Sequence, residues 1–289
     1  MQVFSSKKSY YFEYLIVALL SIIYAPVLIH WYDGWLNKSI SIEHEYFSHG
    51  MIGIPLAIYL VWSKRKQWLR LKNNCNYWGL LLLIIATALY LTGVGELVNL
   101  SLPIILIGIC LWLKGIAGLK LQIFPLVLVA LATPNSIPYL ITPFTLPLQK
   151  FIAGTAGFIL LQFGFDVSVD QVYLAVGGRL VEVAPYCAGL KMLFTSLYIG
   201  LILLYWTGNL RDRKKTTLLL LGSVLISITA NIIRNTILAF FHGTNQDKLF
   251  VWLHDSWGGD VYSALMLGSI ILLLNLIEKI DNSQASIID

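Results

Sequence analysis

The sequence predicts an all-α, polytopic integral membrane protein, and three observations carry that prediction. Of the 289 residues, 57% are hydrophobic and 12% are charged, whereas a soluble domain carries about 25% charged residues. The mean hydropathy is +0.75, and runs such as Trp78–Leu91 and Leu218–Ile233 contain no charge. Soluble enzymes and disordered chains are excluded. The net charge of +5 does not indicate a nucleic-acid partner, because lysines and arginines hold loops on the cytoplasmic side of a membrane.

The apolar runs predict eight membrane spans in one domain. A span needs about 20 mostly apolar residues, so we expect a single integral membrane domain over residues 1–289 with short loops. The first run is interpreted as a retained span and not a signal peptide, because no small-residue cleavage site ends it. The spans fall near residues 12–29, 50–63, 78–95, 100–113, 121–133, 188–206, 216–241 and 258–277.

The basic residues predict the sidedness of the chain. With the N-terminus inside, fourteen of the twenty lysines and arginines fall on the inner side, the bias that cytoplasmic loops show. We therefore expect a multi-pass protein of the inner (plasma) membrane with both termini in the cytoplasm. The six basic residues left for the outer side or the outer span ends are Lys38, Lys150, Arg179, Lys191, Arg234 and Lys248.

Two segments between the fifth and sixth spans need a separate interpretation. Residues 143–163 are apolar enough for a ninth span, but a ninth span would place the basic residues 211–215 outside. We expect instead a helix that lies at, or re-enters, the outer face. Residues 167–183 contain two β-branched runs separated by Gly177-Gly178, which predicts a β-hairpin with a primed turn.

The three cysteines differ in their predicted surroundings. They are too few and too scattered for a disulfide framework or a zinc site, so no metal is expected. Cys75 falls in a cytoplasmic loop and Cys110 inside the fourth span, and only Cys187 faces outward among polar groups. The N-terminus of a helix favours the thiolate, and Lys191 one turn later adds a positive charge if it points the same way. From position alone, Cys187 is either a nucleophile or a small buried cysteine.

Histidines supply candidate bases. All five fall on the predicted outer side, and histidine takes a proton near neutral pH, so one of them can serve a nucleophile there. His44 and His49 are five residues apart, whereas the metalloprotease motif requires four, so zinc is not expected. The five are His30, His44, His49, His242 and His254.

Arg234 is the most informative charge in the sequence. It lies inside the apolar seventh span, where an arginine costs at least a few kcal/mol unless it faces a polar interior. Asn231 precedes it by three residues, which places both side chains on one face of a helix. Arg234 either snorkels to the interface or is held in a site, and we favour the site.

A cysteine at the mouth of the sixth span, an arginine in the seventh and a histidine at the start of the eighth form an ordered set. In these residues the chain resembles the exosortase family, including its cyanobacterial branch, and more distantly the archaeosortases. Exosortases typically carry Cys-Ser-Gly at the nucleophile, and Cys187-Ala188-Gly189 points to a subfamily. The stretches that carry the resemblance are Phe47–Gly50, Phe124–Pro138, Gly177-Gly178, Val183–Lys191, Ala230–Arg234 and His254.

The resemblance implies a cysteine protease or transpeptidase that needs no cofactor. Its substrates would be exported proteins with a C-terminal sorting tail: a Pro-Glu-Pro-like signal, one apolar span and a basic end. Cys187 would be the nucleophile and His254 the base, on the outer face. Arg234 would stabilise the oxyanion or hold the acidic residue of the signal. A membrane lipid or envelope carrier is the implied acceptor.

Three further residues, Asn231, Lys191 and His49, are candidates for binding the substrate.

A transporter with an intramembrane arginine site is the main alternative function, because it too uses buried charge and broken helices. The chain, however, shows no matching interrupted spans in two halves. A scaffold protein is a third class, but it would not need Cys187, Arg234 and His254 on one face.

Overall fold

The computed structural model describes residues 3–36 and 46–288, and the chain divides after residue 136 into two compact units. The predictions for His44 and Lys38 lie outside the described residues. The single domain expected over residues 1–289 stays a prediction. The described helices of the first unit are α1 (Val3–Leu36), α2 (Gly50–Ser63), α3 (Arg65–Arg70), α4 (Tyr77–Leu91) and α5 (Gly95–Ala132).

The helix α5 is folded back on itself. A straight helix of 38 residues would be about 57 Å long, yet Asn99 near its start donates a hydrogen bond to Pro134 O, just past its end, at 3.3 Å. The reversal falls at Gly115, where φ is 62° and ψ is −153°, a backbone conformation open to glycine. The two arms of α5 therefore correspond to the predicted fourth and fifth spans.

Buried polar contacts join α1 to α5 inside the first unit. The Tyr24 hydroxyl lies 2.7 Å from Ser101 Oγ, and Trp31 Nε1 donates to Asn99 Oδ1 at 2.7 Å. Tyr24 and Trp31 are both buried, and their polar atoms need partners there.

The second unit contains helices and one small sheet. Two 3₁₀ turns, Pro185–Ala188 and Asn209–Arg211, flank its helix α8, and a third, Thr142–Thr145, precedes α7. Its longer elements are α6 (Ile137–Ile141), α7 (Leu146–Gln162), β1 (Val167–Asp170), β2 (Tyr173–Val176), β3 (Arg179–Glu182), α8 (Leu190–Trp206), α9 (Arg213–Gly243), α10 (Asp247–Asp255) and α11 (Trp257–Ile288).

The lengths and composition of the helices confirm the predicted fold class. The shorter helices α2, α4 and α8 are also apolar, and together with the long helices and the small sheet they make an all-α polytopic membrane protein. The helical segments in the described residues that are long and apolar enough to cross a membrane are Leu15–Leu36, Gly95–Ala132, Thr142–Gln162, Arg213–Gly243 and Trp257–Asp281.

The segment predicted at the outer face forms α7. Its buried side chains, among them Ile152 and Ala156, pack with the sheet and with the last third of α9, between Ile232 and Phe240. By length and composition the segment is also able to cross a membrane. Its lying at, or re-entering, the outer face stays a prediction.

The predicted hairpin forms strands β2 and β3 of a three-stranded antiparallel sheet in the order β1-β2-β3. Gly177 and Gly178 form the expected turn between β2 and β3, both with positive φ. The prediction of a single hairpin was wrong for the first run, which divides at Gln171. That residue has a φ of 57°, an unusual conformation for glutamine that the sequence does not signal.

Candidate active site

Cys187 lies in the 3₁₀ turn between β3 and α8. Its backbone N–H donates to Ala184 O at 2.8 Å, which closes the turn. The residue is half-buried and packs against the core formed by α7, the sheet and the end of α9. The thiol is thus carried by a short, packed turn rather than by a long loop.

Gly189 allows that turn to approach α9. Its φ is +84°, and a Cβ atom on it would come within 2.7 Å of the Asn231 side chain. A larger residue would therefore be strained and would also collide with Asn231. The glycine of the Cys187-Ala188-Gly189 sequence is explained by this close approach.

Two asparagine side chains on α9 hold the backbone of Cys187. Asn231 Nδ2 donates to Cys187 O at 3.0 Å, and Asn235 Nδ2 donates to the same oxygen at 3.2 Å. Both asparagines are buried, where an amide needs partners. Asn231 thus contacts the backbone of Cys187 itself. Asn235 was missed in the sequence, although it lies one helical turn after Asn231 and a pair at that spacing shares a face.

His254 faces the thiol. Its Nε2 atom lies 3.9 Å from Cys187 Sγ, a separation that suits a sulfur–nitrogen pair before substrate is bound. The prediction that this histidine begins the eighth span was wrong in detail, because it lies on the separate nine-residue helix α10. The Phe250 ring, one turn earlier, stacks on the imidazole at 5.3 Å between centroids and 7° between planes.

The second imidazole nitrogen also has a partner. His254 Nδ1 lies 2.7 Å from Asp255 Oδ1, and Asp255 is the last residue of α10. The side chain of His254 is 26% exposed and that of Asp255 is 57% exposed. Asp255 was not predicted from the sequence, because residues adjacent on a helix do not normally face each other.

Arg179 ties the beginning of α10 to the sheet. Its Nη1 atom donates to His242 O at 3.0 Å, to Asn245 Oδ1 at 3.0 Å and to Asp247 Oδ1 at 2.9 Å. Since Asp247 begins α10 and His254 lies near its end, this contact helps to fix the helix that carries the histidine.

Arg234 lies on α9 one residue before Asn235. It is partly buried, and its Nε atom is fully buried without a hydrogen-bond partner in the part of the chain that the structure describes. Its Nη2 atom points toward Gly259 in the first turn of α11, 3.7 Å from where a Cβ on that glycine would lie. A buried donor of this kind needs an acceptor, which a carboxylate or an oxyanion would supply.

Lys191 and His49 complete the predicted set. Lys191 is half-buried in the first turn of α8. His49 belongs to the first unit, immediately before α2, and its Nε2 atom lies 3.1 Å from Leu131 O. Burial lowers the pKa of His49, and the bond to Leu131 opposes that effect only in part. The structure therefore brings together Cys187, Asn231 and His254 in the second unit, with Arg234 on the same helix as Asn231.

An apolar groove of about 440 Å³ lies between α9 and α11. At 100° per residue, its α9 residues Thr229 and Ile233 lie about 160° around the helix from Asn231. The groove is therefore on the far side of α9 from Cys187. The residues that line it are Leu225, Ile226, Thr229, Ala230, Ile233, Tyr262, Leu265, Met266 and Ser269.

The fold and the site together define a general class: a polytopic membrane protein with a cysteine–histidine pair near the end of a long helix. A family model described as the transmembrane exosortases matches residues 35–271, more than four-fifths of the chain. The chain belongs to the exosortase family, and this membership indicates a membrane sorting transpeptidase in general. No curated protein matches the chain, and no solved structure does. Membership of the cyanobacterial branch and the distant similarity to archaeosortases stay predictions.

Proposed function

We propose that this protein cleaves the C-terminal sorting tail of exported proteins and transfers them to an acceptor in the envelope, with Cys187 as the nucleophile. The observation that carries the proposal is the 3.9 Å approach of Cys187 Sγ to His254 Nε2 in a chain of the exosortase family. The substrates have a Pro-Glu-Pro-like signal, one apolar span and a basic end.

The chemistry is a two-step acyl transfer. Cys187 Sγ attacks the carbonyl carbon of the scissile peptide bond while its proton passes to His254 Nε2. The tetrahedral intermediate then collapses to a thioester, the carbon–nitrogen bond breaks, and His254 returns the proton to the leaving amine, which departs with the span. An amine or hydroxyl on a lipid or envelope carrier then attacks the thioester and releases the Cys187 thiol. Hydrogen bonds from Arg234 stabilise the oxyanion or hold the acidic residue of the signal.

The test of this chemistry is the covalent intermediate. A reporter protein that ends in such a tail is coexpressed with the full-length protein, and the acyl-enzyme is trapped by rapid denaturation at low pH. We expect the reporter fragment to be attached to the Cys187 peptide through a bond that hydroxylamine cleaves, as mass spectrometry would show. A reporter that is cleaved without passing through Cys187, or an adduct on Cys75, would contradict the proposal.

The proposed location is the plasma membrane, with both termini in the cytoplasm and Cys187 on the outer face. Support comes from the fourteen-to-six distribution of basic residues. In the first unit, Lys64 Nζ donates to Leu121 O and Lys114 Nζ donates to Leu71 O, so two lysines predicted on the inner side contact segments that are also predicted there.

The orientation predicts which cysteine is accessible from outside. In single-cysteine variants on intact spheroplasts, a membrane-impermeant thiol reagent should label Cys187, whereas Cys75, which is exposed, should react only after permeabilisation. Cys110, which is buried, serves as the control for reagent that enters the membrane. Labelling of Cys75 in intact spheroplasts would reverse the sidedness.

A further inference from the structure

We propose that Asp255 is a positioning residue for the acyl transfer: it holds His254 in the one tautomer that can accept the Cys187 proton. The proposal rests on the proposed function for the role of the cysteine–histidine pair. The choice of Asp255 follows from the geometry around the imidazole ring of His254.

Three contacts fix the His254 ring in place. The Phe250 ring covers one face of the imidazole at 7° between the two planes, which restricts rotation of the imidazole about its Cβ–Cγ bond. One edge nitrogen, Nε2, faces Cys187 Sγ at 3.9 Å, and the other, Nδ1, faces Asp255 Oδ1 at 2.7 Å. The ring is therefore held between the thiol and a carboxylate.

The carboxylate decides which nitrogen carries the proton. An ionised carboxylate only accepts hydrogen bonds, and a neutral imidazole has one donor nitrogen and one acceptor nitrogen. Asp255 therefore requires the proton on Nδ1, which leaves the lone pair of Nε2 directed at the thiol. When the proton of Cys187 arrives on Nε2, both nitrogens are donors and the carboxylate lies 2.7 Å from the new positive charge.

The contact between Asp255 and His254 serves to orient the imidazole ring and contributes little to the stability of the fold. The Asp255 side chain is 57% exposed, and exposed ion pairs contribute only about 0–1 kcal/mol to folding. Removing Asp255 should therefore leave the protein folded and inserted, while it frees the ring to carry its proton on either nitrogen.

The experiment measures the reactivity of Cys187 without any sorting substrate. Full-length protein in lipid nanodiscs is treated with iodoacetamide at pH 7, and alkylation of the Cys187 peptide is followed by mass spectrometry. Because the thiolate is the reacting form, we expect Asp255→Ala to slow alkylation by at least about threefold. The matched control is Asp260→Ala, which removes an exposed carboxylate from the first turn of α11 and should leave the rate unchanged.

Two further variants separate positioning from a merely structural effect. Asp255→Asn should be at least as slow as Asp255→Ala, because the amide can donate to Nδ1 and so favour the wrong tautomer. In a His254→Ala background, Asp255→Ala should produce no additional slowing, since the effects of substituting two residues that act as a unit do not add. Equal slowing with and without His254, or normal alkylation in Asp255→Asn, would overturn the proposal. Neither outcome depends on the identity of the sorting substrate, so the tail-cleavage proposal is tested separately.

Discussion

Replacing Cys187 with alanine is expected to abolish processing of a tailed reporter while the protein remains inserted and abundant. The proposed reaction has no covalent intermediate without the Cys187 thiol, and we expect neither of the other cysteines to replace it. Cys110 is buried in α5, and Cys75 lies in the loop before α4. The measurement is the ratio of uncleaved to cleaved reporter in cells matched for enzyme level.

Serine at the same position should be nearly as inactive. A hydroxyl gives up its proton to a histidine much less readily than a thiol does, so serine is the harder nucleophile to activate here. Cys75→Ala is the matched control and should process the reporter at the wild-type rate. Normal processing by Cys187→Ala would remove the nucleophile from the mechanism.

Arg234→Lys is expected to process the reporter at least about tenfold more slowly, and it tests geometry rather than charge. Lysine keeps the positive charge and can still snorkel, so a helix anchor would lose little. Arg234, however, has a buried Nε–H without a partner in the described structure, and its planar fork can hold a carboxylate or oxyanion with two bonds. Losing one oxyanion donor typically costs about a hundred- to a thousandfold in rate.

The control for this variant lies on the same helix. Arg213→Lys makes the same chemical change at the exposed start of α9 and should leave processing unchanged. Wild-type turnover in Arg234→Lys would assign Arg234 to anchoring the helix.

The fold was predictable to the extent that hydrophobic length determines it. Runs of apolar residues placed the helices α2, α8 and α9 to within a few residues, and Gly177-Gly178 marked a turn. The division of the strand at Gln171 was not predictable, because glutamine rarely takes a positive φ and carries no turn signal. The sequence predicts two separate spans where the structure has the single folded helix α5, and the basic residues Lys114 and Lys120 lie in the predicted gap between them.

The candidate site, whose catalytic role stays a prediction, could be chosen from the sequence where a residue is chemically unusual in its setting. Cys187, Arg234 and His254 stood out as reactive or charged groups in an apolar chain. Asn235 and Asp255 did not, because what distinguishes them is what they contact: the carbonyl oxygen of Cys187 and one imidazole nitrogen of His254. Such partners depend on tertiary packing, which periodicity does not report.

The asparagine contacts have a consequence for the depth of the thiol. Asn231 and Asn235 lie 18 and 22 residues from the start of α9 at Arg213, which corresponds to about 27 and 33 Å along the helix. The hydrocarbon layer of a bilayer is about 30 Å thick. Because both amides donate to the carbonyl oxygen of Cys187, this residue is held about one bilayer core away from the basic residues that begin the helix. The distance between Cys187 and those basic residues is set by the number of residues in a single helix. Each residue added to α9 between Arg213 and Asn231 would increase that distance by about 1.5 Å.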